Sequence, residues 1–445
     1  MSSRRDFIKT SVAVAAGLSL APAGLDARSG RNSRGKCREG GSADIIIAGG
    51  GPAGIAAAVT AARTGRKVRL FEMHGALGGM WTNALMTCLI DFGKGDIAKE
   101  ISRRLEELGA RVPRRGRMLE SNYIFEPEYM KYVCEQMCVE SGVEFLLHCR
   151  VVDVEMDASG RRIKAVYTES KSGRQRWTAK AYIDATGDGD LCERAGCGFD
   201  FGGENPGDND QPATMMAIVK VDDDTKIADC IANDPVSFGG KDKTDFYAGK
   251  ARLKAVAQKA GYDATYTFLT RLHKNLLSLS VTHEFGLPVD DVEAITKATV
   301  RSRQEIFKFT QALARNGGDG WESLRVVATA EQIGHRAARR VHGKYTITNH
   351  DIETGARFED AVATSNFGVD VHATTKDIKG FSQPHRQKSK PFQIPFRSCE
   401  SADVDNLYMI GRCISGGFYP MSSYRVTGTA VEMGENVGRI LSERI

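Results

Sequence analysis

Three glycines and one carboxylate have the types and spacing needed to hold a phosphate-rich ligand. Gly49, Gly51 and Gly54 stand in the order G-x-G-x-x-G within the segment ADIIIAGGGPAG. The first glycine permits a tight turn, the second lets the backbone approach a pyrophosphate, and the third lets a helix pack closely on a strand. Glu72 follows about twenty residues later, where a carboxylate can bind a ribose hydroxyl. The pattern predicts a dinucleotide site.

This chemistry needs a strand before the glycines and a helix behind them. The apolar run that ends at Ala48 predicts the strand, and residues 55–64 predict the helix. A helix N-terminus in this position faces the phosphates. Residues 67–72 predict a second strand. With strand, helix and acid in sequence, a cofactor site is favoured over the alternative of a generic tight turn.

A second glycine-rich strand end lies further along the chain. Residues 150–156, 162–170 and 175–180 predict a three-stranded β-meander. Residues 181–185 predict an apolar strand that runs into the segment ATGDGD. An acidic pair beside glycines at a sheet edge indicates contact with a ligand phosphate or ribitol. The alternative is a surface turn with solvated aspartates.

Helical and strand patterns continue through the rest of the chain. Apolar residues at helical spacing predict helices at 97–108, 129–141, 303–316, 329–341 and 424–441. A third buried strand is predicted at 143–147. A short apolar strand at 406–412 ends in Gly411 and Arg412. Small residues in the helix that follows would let it pack closely on the first sheet.

These elements predict an α/β fold in two domains. We expect a Rossmann-like cofactor-binding domain with a parallel sheet and the β-meander, formed by residues 43–198 and completed by residues 391–445. Residues 199–390 have longer polar helices and scattered strands. They predict a second, mixed α+β domain for the substrate. The cofactor domain is therefore expected to be discontinuous in sequence.

The first 27 residues predict a twin-arginine export signal. Arg4 and Arg5 precede Phe7 and Ile8, and a mild apolar run follows that is shorter than the ~20 residues of a membrane span. The alternative is an ordinary charge pair at a terminus. Residues 28–42 are polar with several glycines and are expected to form a flexible linker. We expect a periplasmic or other extracytoplasmic location, with the export machinery as a partner.

Charge and cysteine usage exclude other classes. The formal net charge of the 445 residues is +5, and no basic stripe is interleaved with aromatic residues, so no nucleic-acid partner is expected. The ten cysteines include no C-x-x-C pair. We therefore expect no metal site, and buried single thiols are the default interpretation.

Four segments, taken in order, resemble the exported FAD-dependent oxidoreductase family, which is related to the glutathione-reductase and fumarate-reductase type of FAD fold. They are GGGPAG with Glu72 and Leu77-Gly78-Gly79, the meander into YIDATGDGD, NFGVDVH, and DNLYMIGRCIS followed by SYRVTGTAVEMGENVG. The resemblance covers nearly everything from residue 43 onward. It implies FAD as the cofactor.

The resemblance also implies contacts along the whole length of the cofactor. The pyrophosphate would lie at the glycine turn, the adenosine ribose at Glu72, the adenine at Val152, and the ribityl chain near Gly411 and Arg412. The flavin ring would lie near Arg425 and Val426. The residues expected at FAD are Gly49, Gly51, Pro52, Ala53, Gly54, Glu72, Met73, Gly78, Gly79, Val152, Ala185, Thr186, Gly187, Asp188, Gly411, Arg412 and Val426.

His372 and Arg425 are the catalytic candidates. His372 lies in the family motif, and the unperturbed pKa of histidine suits proton transfer near neutral pH. Its alternative role is structural. Arg425 would stabilise negative charge on reduced flavin or orient a substrate oxygen. Its alternative role is a phosphate or ion-pair contact. Arg397 is a weaker candidate of the same kind, and His74 is a hypothetical site of covalent flavin attachment or a solvent-facing turn residue.

Two classes of function remain open. The leading one is an exported FAD-dependent dehydrogenase or oxidase that takes a hydride from a polar small molecule, a sugar or a hydroxy acid. Its electrons would pass to a quinone, a cytochrome or oxygen. The reverse reaction, reduction of a C=C or C=O group, is the alternative within enzymes. The other class is a flavin-carrying electron-transfer subunit of a larger complex.

Overall fold

The computed structural model describes residues 37–113, 121–205, 208–234, 245–263, 266–378, 382 and 385–445. The predicted export signal and residues 28–36 of the predicted linker lie outside the described residues. The helices are α1 (Pro52–Arg63), α2 (Gly95–Glu107), α3 (Pro127–Glu140), α4 (Asp190–Arg194), α5 (Asp245–Lys259), α6 (Val292–Asn316), α7 (Asn349–Thr354), α8 (Phe418–Tyr424) and α9 (Thr427–Arg444).

The strands alternate with these helices in the first part of the chain and cluster between them later. They are β1 (Arg38–Ser42), β2 (Ile45–Ala48), β3 (Val68–Phe71), β4 (Cys88–Leu89), β5 (Arg111–Pro113), β6 (Tyr123–Phe125), β7 (Glu144–Leu146), β8 (Arg150–Met156), β9 (Ile163–Glu169), β10 (Gln175–Thr178), β11 (Ala181–Asp184), β12 (Phe199–Asp200), β13 (Met216–Lys220), β14 (Phe268–His273), β15 (Leu276–Ser280), β16 (Arg325–Thr329), β17 (Arg340–Val341), β18 (Ala361–Ser365), β19 (Phe392–Pro395) and β20 (Leu407–Met409).

A five-stranded parallel sheet organises the molecule, in the order β20-β11-β2-β3-β7. Strand β2 is apolar at every position and buried throughout, as expected for a strand covered on both faces. The closing strand β20 pairs with β11, so the end of the chain returns to the sheet that its beginning starts. The predicted third strand is β7, which lies at the edge and is only partly buried.

The β-meander is present as β8, β9 and β10, and a fourth strand joins it. Part of the predicted flexible linker, residues 38–42, forms β1 and pairs in parallel with β10. The expectation of flexibility is wrong for these residues. A Cβ on Gly40 would lie 2.2 Å from the ring of Trp177, so this glycine lets the backbone lie flat on an aromatic ring.

A four-stranded antiparallel sheet, β14-β15-β13-β16, has an apolar core of its own. Within residues 199–390, this core uses residues 213–333, whereas Val341, Ile352 and Val362 belong to the core around the parallel sheet. The fold is thus α/β with one parallel sheet and several antiparallel ones. The proposed domain boundaries remain a prediction.

The helix predicted at 329–341 does not form. Strand β16 ends at Thr329, and the chain continues without helix until β17. Gly334 exchanges two backbone hydrogen bonds with Thr214, so its amide and carbonyl serve a neighbouring segment instead of a helix. The buried Ala330, Ile333 and Ala337 produced the helical spacing, although each contacts the core from an irregular segment.

The C-terminal helix is interrupted where the sequence predicted a continuous one. Helix α8 ends at Tyr424, Val426 has extended backbone angles, and α9 begins at Thr427. Helix α9 packs on α1 through two glycines. A Cβ on Gly434 would lie 2.2 Å from the carbonyl oxygen of Ala53, and one on Gly438 would lie 2.6 Å from that of Ala57. Among the described residues, no helix is both long and apolar enough to cross a membrane.

The Gly434→Ala substitution tests this close packing. The added methyl group must push α9 away from α1, and overpacking of this kind costs about 1–3 kcal/mol of unfolding free energy even though alanine is the better helix former. Chemical denaturation is the measurement. Gly368→Ala is the control, because nothing lies within 4 Å of its Cβ position. Equal stability of the two variants would contradict the packing argument.

Candidate functional site

A cleft of about 1060 Å³, including its open mouth, lies at the carboxyl edge of the parallel sheet. Most of the predicted cofactor residues line it. They are Gly49, Gly51, Pro52, Ala53, Glu72, Met73, Gly79, Ala185, Thr186, Gly187, Asp188, Gly411 and Arg412. The ends of β2, β3, β11 and β20 meet here, since carboxyl ends of parallel strands share one edge.

The glycine turn has the geometry expected for a pyrophosphate cradle. Gly49 has a positive φ of 105°, and its Cβ would lie 2.5 Å from the carbonyl oxygen of Ala185. A Cβ on Gly51 would meet nothing within 4 Å, because this residue borders the cleft. Gly54 lies behind the turn, where a Cβ would be 2.1 Å from the carbonyl oxygen of Gly49. The turn therefore brings the amides at the start of α1 to the cleft.

Glu72 is a buried carboxylate at the end of β3. Its Oε2 accepts a hydrogen bond from the amide of Gly50 at 2.8 Å. Its Oε1 accepts bonds from the amide and the Nδ1 of His74, both at 2.8 Å. A carboxylate offers about four acceptor positions, so one remains for a ribose hydroxyl. The geometry fits the role predicted for Glu72.

His74 lies beside this carboxylate rather than at the other end of the cleft. Its ring is held by Glu72 and lines the same wall. With the ribose at Glu72, His74 is on the adenosine side of the cofactor. A covalent bond from His74 to the flavin ring would require FAD to bind in the reverse direction, so the geometry gives no support to that hypothesis.

Four of the predicted cofactor residues do not line the cleft. Gly54 packs behind the turn, and Gly78 has a φ of 107° in the bend before Gly79. The carbonyl of Val152 accepts a hydrogen bond from Arg194 at 3.0 Å, and the cleft wall at β8 is formed by the adjacent Arg150 and Val151. The fourth is Val426, where the backbone turns so that its two neighbours, not its own side chain, face the cleft.

Arg412 spans the middle of the cleft. Its guanidinium pairs with the carboxylate of Asp188 and donates to the carbonyl of His335 at 2.7 Å. A Cβ on Gly187 would lie 3.2 Å from the same guanidinium, so glycine gives it room. These contacts join the end of β11 to the end of β20. Both segments were predicted to meet the cofactor, and the structure brings them together.

Several buried polar atoms of the cleft lack a hydrogen-bond partner among the described residues. They are the Nε atoms of Arg412 and Arg425, the Oγ1 of Thr427 and the Oε1 of Gln332. Leaving such a group unsatisfied costs about 1–3 kcal/mol. A long polar ligand in the cleft would satisfy them. The glycine cradle, the free acceptor position of Glu72 and these atoms together fit FAD.

A polar cluster adjoins the cleft at Arg425. The guanidinium of Arg425 lies 2.9 Å from the Oδ2 of Asp370, which is 3.3 Å from the Nε2 of His372. The Nδ1 of His372 lies 3.4 Å from the Nε2 of His283. Gln211 joins them, because its Oε1 accepts from the amide of His372 at 3.0 Å and lies 3.4 Å from Arg425. We call Gln211, His283, Asp370, His372 and Arg425 the polar cluster.

Burial sets the charges in this cluster. Burial and the nearby Arg336 lower the pKa of His372 to about 3, against the opposing effect of Asp370. Burial also lowers the pKa of His283 to about 2. Burial alone would raise the pKa of Asp370, but the hydrogen bond from His372 and the charge of Arg425 hold it well below its usual range. At neutral pH both histidines are neutral and the carboxylate is ionised.

The sequence-predicted catalytic residues therefore differ in position. Arg425 lines the cleft, whereas His372 lies behind it, in contact with Asp370 and His283. Arg397 is elsewhere: its guanidinium stacks over Tyr345 at 4.9 Å and lies 3.5 Å from Asp360. Sequence reasoning missed Gln211 and His283, since neither lies in a recognisable motif.

Comparison with known proteins identifies the class of protein. The model of the family described as FAD dependent oxidoreductase matches residues 44–442, and the chain belongs to that family. The protein is an FAD-dependent oxidoreductase, a flavoenzyme, and its cofactor is FAD.

Similarity to individual proteins does not identify this chain more closely than the family does. The chain is 50% identical over 44 residues to the thiamine thiazole synthase of Desulfosudis oleivorans, a match that covers 10% of this chain and 17% of that relative. A geranylgeranyl bacteriochlorophyll reductase-like protein from Thermoplasma acidophilum is 12% identical, with a TM-score of 0.45 over 90% of this chain and 78% of the other. The p-nitrophenol 4-monooxygenase of Pseudomonas putida DLL-E4 is 13% identical, with a TM-score of 0.45 over 90% and 79%.

Substitution of two turn glycines should separate cofactor binding from folding. Gly51→Ala should leave the stability of the FAD-free protein unchanged and weaken FAD binding on the order of tenfold, because its methyl group enters the pyrophosphate side of the cleft. Gly54→Ala should destabilise the FAD-free protein by about 1–3 kcal/mol, because its methyl group clashes with the turn. Denaturation of the FAD-free variants and titration with FAD provide the measurements. Similar behaviour of the two variants in both assays would refute this division of roles.

Proposed function

We propose that this oxidoreductase oxidises a polar small molecule, a sugar or a hydroxy acid, by hydride transfer to FAD. The observation that carries the proposal is the polar cluster beside the cleft at Arg425. The glycine turn and Glu72 occupy the adenosine end, so Arg425 and Thr427, at the start of α9, lie where the flavin end would be. A polar donor bound there would meet hydrogen-bonding groups rather than an apolar wall.

The proposed reaction balances with one hydride, which carries two electrons, and one proton. FAD supplies a two-electron acceptor when it is bound. Oxidation of an alcohol carbon breaks its C–H bond, whose hydrogen and electron pair leave as a hydride. The hydroxyl proton goes to a base, and the carbon–oxygen bond becomes a carbonyl. An external acceptor, a quinone, a cytochrome or oxygen, must then remove the two electrons.

The protein's own groups have separate tasks in this proposal. Arg425 stabilises negative charge that develops beside the cleft and orients a donor oxygen, because its Nε is buried without a partner. His372, which is neutral at working pH and lies behind Arg425, is the proposed final acceptor of the hydroxyl proton, which reaches it through the polar cluster. Asp370 fixes the orientation of the Arg425 guanidinium and of the His372 ring. The reverse reaction, reduction of a C=C or C=O group, would use the same groups.

The cellular setting is part of the proposal. Arg4 and Arg5 before a short apolar run support export by the twin-arginine route. This route carries folded proteins, so FAD would bind before export. The glutathione-reductase and fumarate-reductase type of FAD fold is supported by the same four sequence segments that predicted FAD. An extracytoplasmic location would favour donors from outside the cell.

Anaerobic mixing with donors tests the direction of the reaction. We expect sugars or hydroxy acids to bleach the absorbance of the oxidised flavin after mixing, because they supply the hydride. The flavin absorbance is followed by stopped-flow spectrophotometry. Failure of every donor, together with rapid reoxidation of chemically reduced protein by unsaturated or carbonyl acceptors, would show a reductase instead.

Two variants test the assigned roles. Arg425→Gln should slow flavin reduction on the order of a hundredfold, the effect of losing one preorganised charge-stabilising donor. His372→Ala should retain FAD and slow reduction by a factor on the order of 10² to 10⁴. Because the pKa of His372 is about 3 in the ligand-free protein, its protonation should not limit kcat/KM, which reports the free enzyme, between pH 5 and pH 8. A kcat/KM that falls with an apparent pKa between 6 and 7, and loses that dependence in His372→Ala, would contradict the charge assignment.

A further inference from the structure

Arg336 is a cation without a carboxylate partner beside the polar cluster. Two other arginines of this region are paired, Arg412 with Asp188 and Arg425 with Asp370. Arg336 forms no ion pair with the described residues. Its Nη1 donates to the carbonyl of Pro212 at 2.6 Å and to the hydroxyl of Thr214 at 2.7 Å. Its remaining guanidinium donors have no hydrogen-bond partner among the described residues.

Contacts of the chain place Arg336 beside the cleft. Gln332 lines the cleft, and the carbonyl of His335 accepts a hydrogen bond from Arg412, which also lines it. The groups that bind the Arg336 guanidinium, Pro212 and Thr214, closely follow Gln211 of the polar cluster along the chain. Its guanidinium is close enough to Arg425, Asp370 and His372 to shift their pKa values or its own. Arg336 nevertheless retains partial exposure.

The charges at this place sum to an excess of one cation. Burial and Arg425 lower the pKa of Arg336 to about 9, so it is still protonated at neutral pH. Burial raises the pKa of Asp210 to about 6, so this carboxylate is also ionised, and it interacts with Arg340, Arg412 and Arg425. Both histidines are neutral. The four arginines Arg336, Arg340, Arg412 and Arg425 thus face three carboxylates, those of Asp188, Asp210 and Asp370. A cation that is partly removed from water and lacks a counter-charge is costly, and a bound anion would remove the cost.

We propose that Arg336, together with Arg425, binds a carboxylate group of the donor, so that the substrate is a hydroxy acid rather than a neutral sugar. The inference rests on the proposed oxidation of a donor at this place. A guanidinium presents parallel donors that match the two oxygens of a carboxylate. Pro212 and Thr214 hold one end of the Arg336 guanidinium and leave its other donors for the ligand. Arg336 is thus a specificity-determining residue for the donor.

Titration of the FAD-loaded enzyme with an unreactive anion tests the charge requirement without any variant. Oxalate should perturb the flavin absorbance spectrum with saturation, whereas oxamide, its uncharged counterpart of similar shape, should bind at least tenfold more weakly. Equal binding of the two, or no binding of oxalate, would overturn the proposal. Because no turnover is involved, this result is independent of whether the enzyme oxidises or reduces its substrate.

Variants then test the residue. Arg336→Gln should raise the dissociation constant of oxalate at least tenfold, and Arg336→Lys should restore part of the affinity. Thr214→Val leaves Arg336 charged but removes the hydroxyl that binds its guanidinium. We expect it to lose less affinity for oxalate than Arg336→Gln does. Arg325→Gln is the control, because it removes the same charge from an exposed position of the antiparallel sheet. If Arg336→Gln binds oxalate as the wild type does, or if it shifts only the flavin redox potential, the proposal fails.

Paired donors separate this inference from the proposed function. Lactate and 1,2-propanediol differ in one carboxylate, and so do glycolate and ethylene glycol. Bleaching of the flavin by a hydroxy acid, with a KM that Arg336→Gln raises more than it lowers kcat, would support both proposals. Bleaching by neutral diols or sugars alone would overturn the carboxylate inference and leave donor oxidation standing. Bleaching by no donor would overturn donor oxidation, and the oxalate titration would then decide the anion site.

Discussion

The close approach of backbone to backbone at the glycine turn is the constraint on which the cleft depends. Gly54 lets α1 contact the carbonyl of Gly49, and Gly49 lets the turn contact β11. Gly434 lets α9 lie on the carbonyl of Ala53, at the start of the same helix. A side chain at any of these positions would move one element outward. The cleft would then lose the shared edge at which β2, β11 and the start of α9 meet.

Buried charge is the second constraint, and it concerns function more than stability. Placing Asp370 between Arg425 and His372 takes ionised groups out of water, and such arrangements are seldom net stabilising compared with apolar packing. The cost is reasonable for an enzyme because preorganised charge acts strongly in a site of low polarity. The same burial keeps His283 and His372 neutral. The cluster therefore combines fixed positive charge with two neutral imidazole rings.

Local sequence determined the cofactor half of the site more completely than the substrate half. The glycine turn was predictable because Gly49 needs a positive φ and Gly54 needs close packing, which are properties of single positions. The role of Gly40 was ambiguous from sequence, because a glycine can give flexibility or allow close packing. In the structure it allows the backbone to pack on Trp177. The helix expected at 329–341 failed because apolar spacing reports burial, whereas the backbone hydrogen bonds of that segment go to Thr214.

The substrate side depends on contacts between residues far apart in sequence. Gln211 meets His372 across 161 positions, and nothing in its own segment indicates that contact. Arg336 is followed by Arg339 and Arg340, which donate to the carbonyls of Asp188 and Gly202. Sequence cannot tell that Arg339 pairs with Asp190 while Arg336 and Arg340 form no ion pair with the described residues, because the answer depends on where the carboxylates of other segments lie.

A donor carboxylate bound to Arg336 would also change the pKa of His372, the proposed proton acceptor. The charge of Arg336 is, after burial, the largest influence that lowers the pKa of His372, and Asp370 opposes it. The neighbouring Arg425 also lowers this pKa, and His283 is neutral. An anion that neutralises Arg336 would raise the pKa of His372 and make it a stronger base only while the donor is bound. A neutral sugar would leave the pKa low, so charge on the donor would contribute to catalysis as well as to binding.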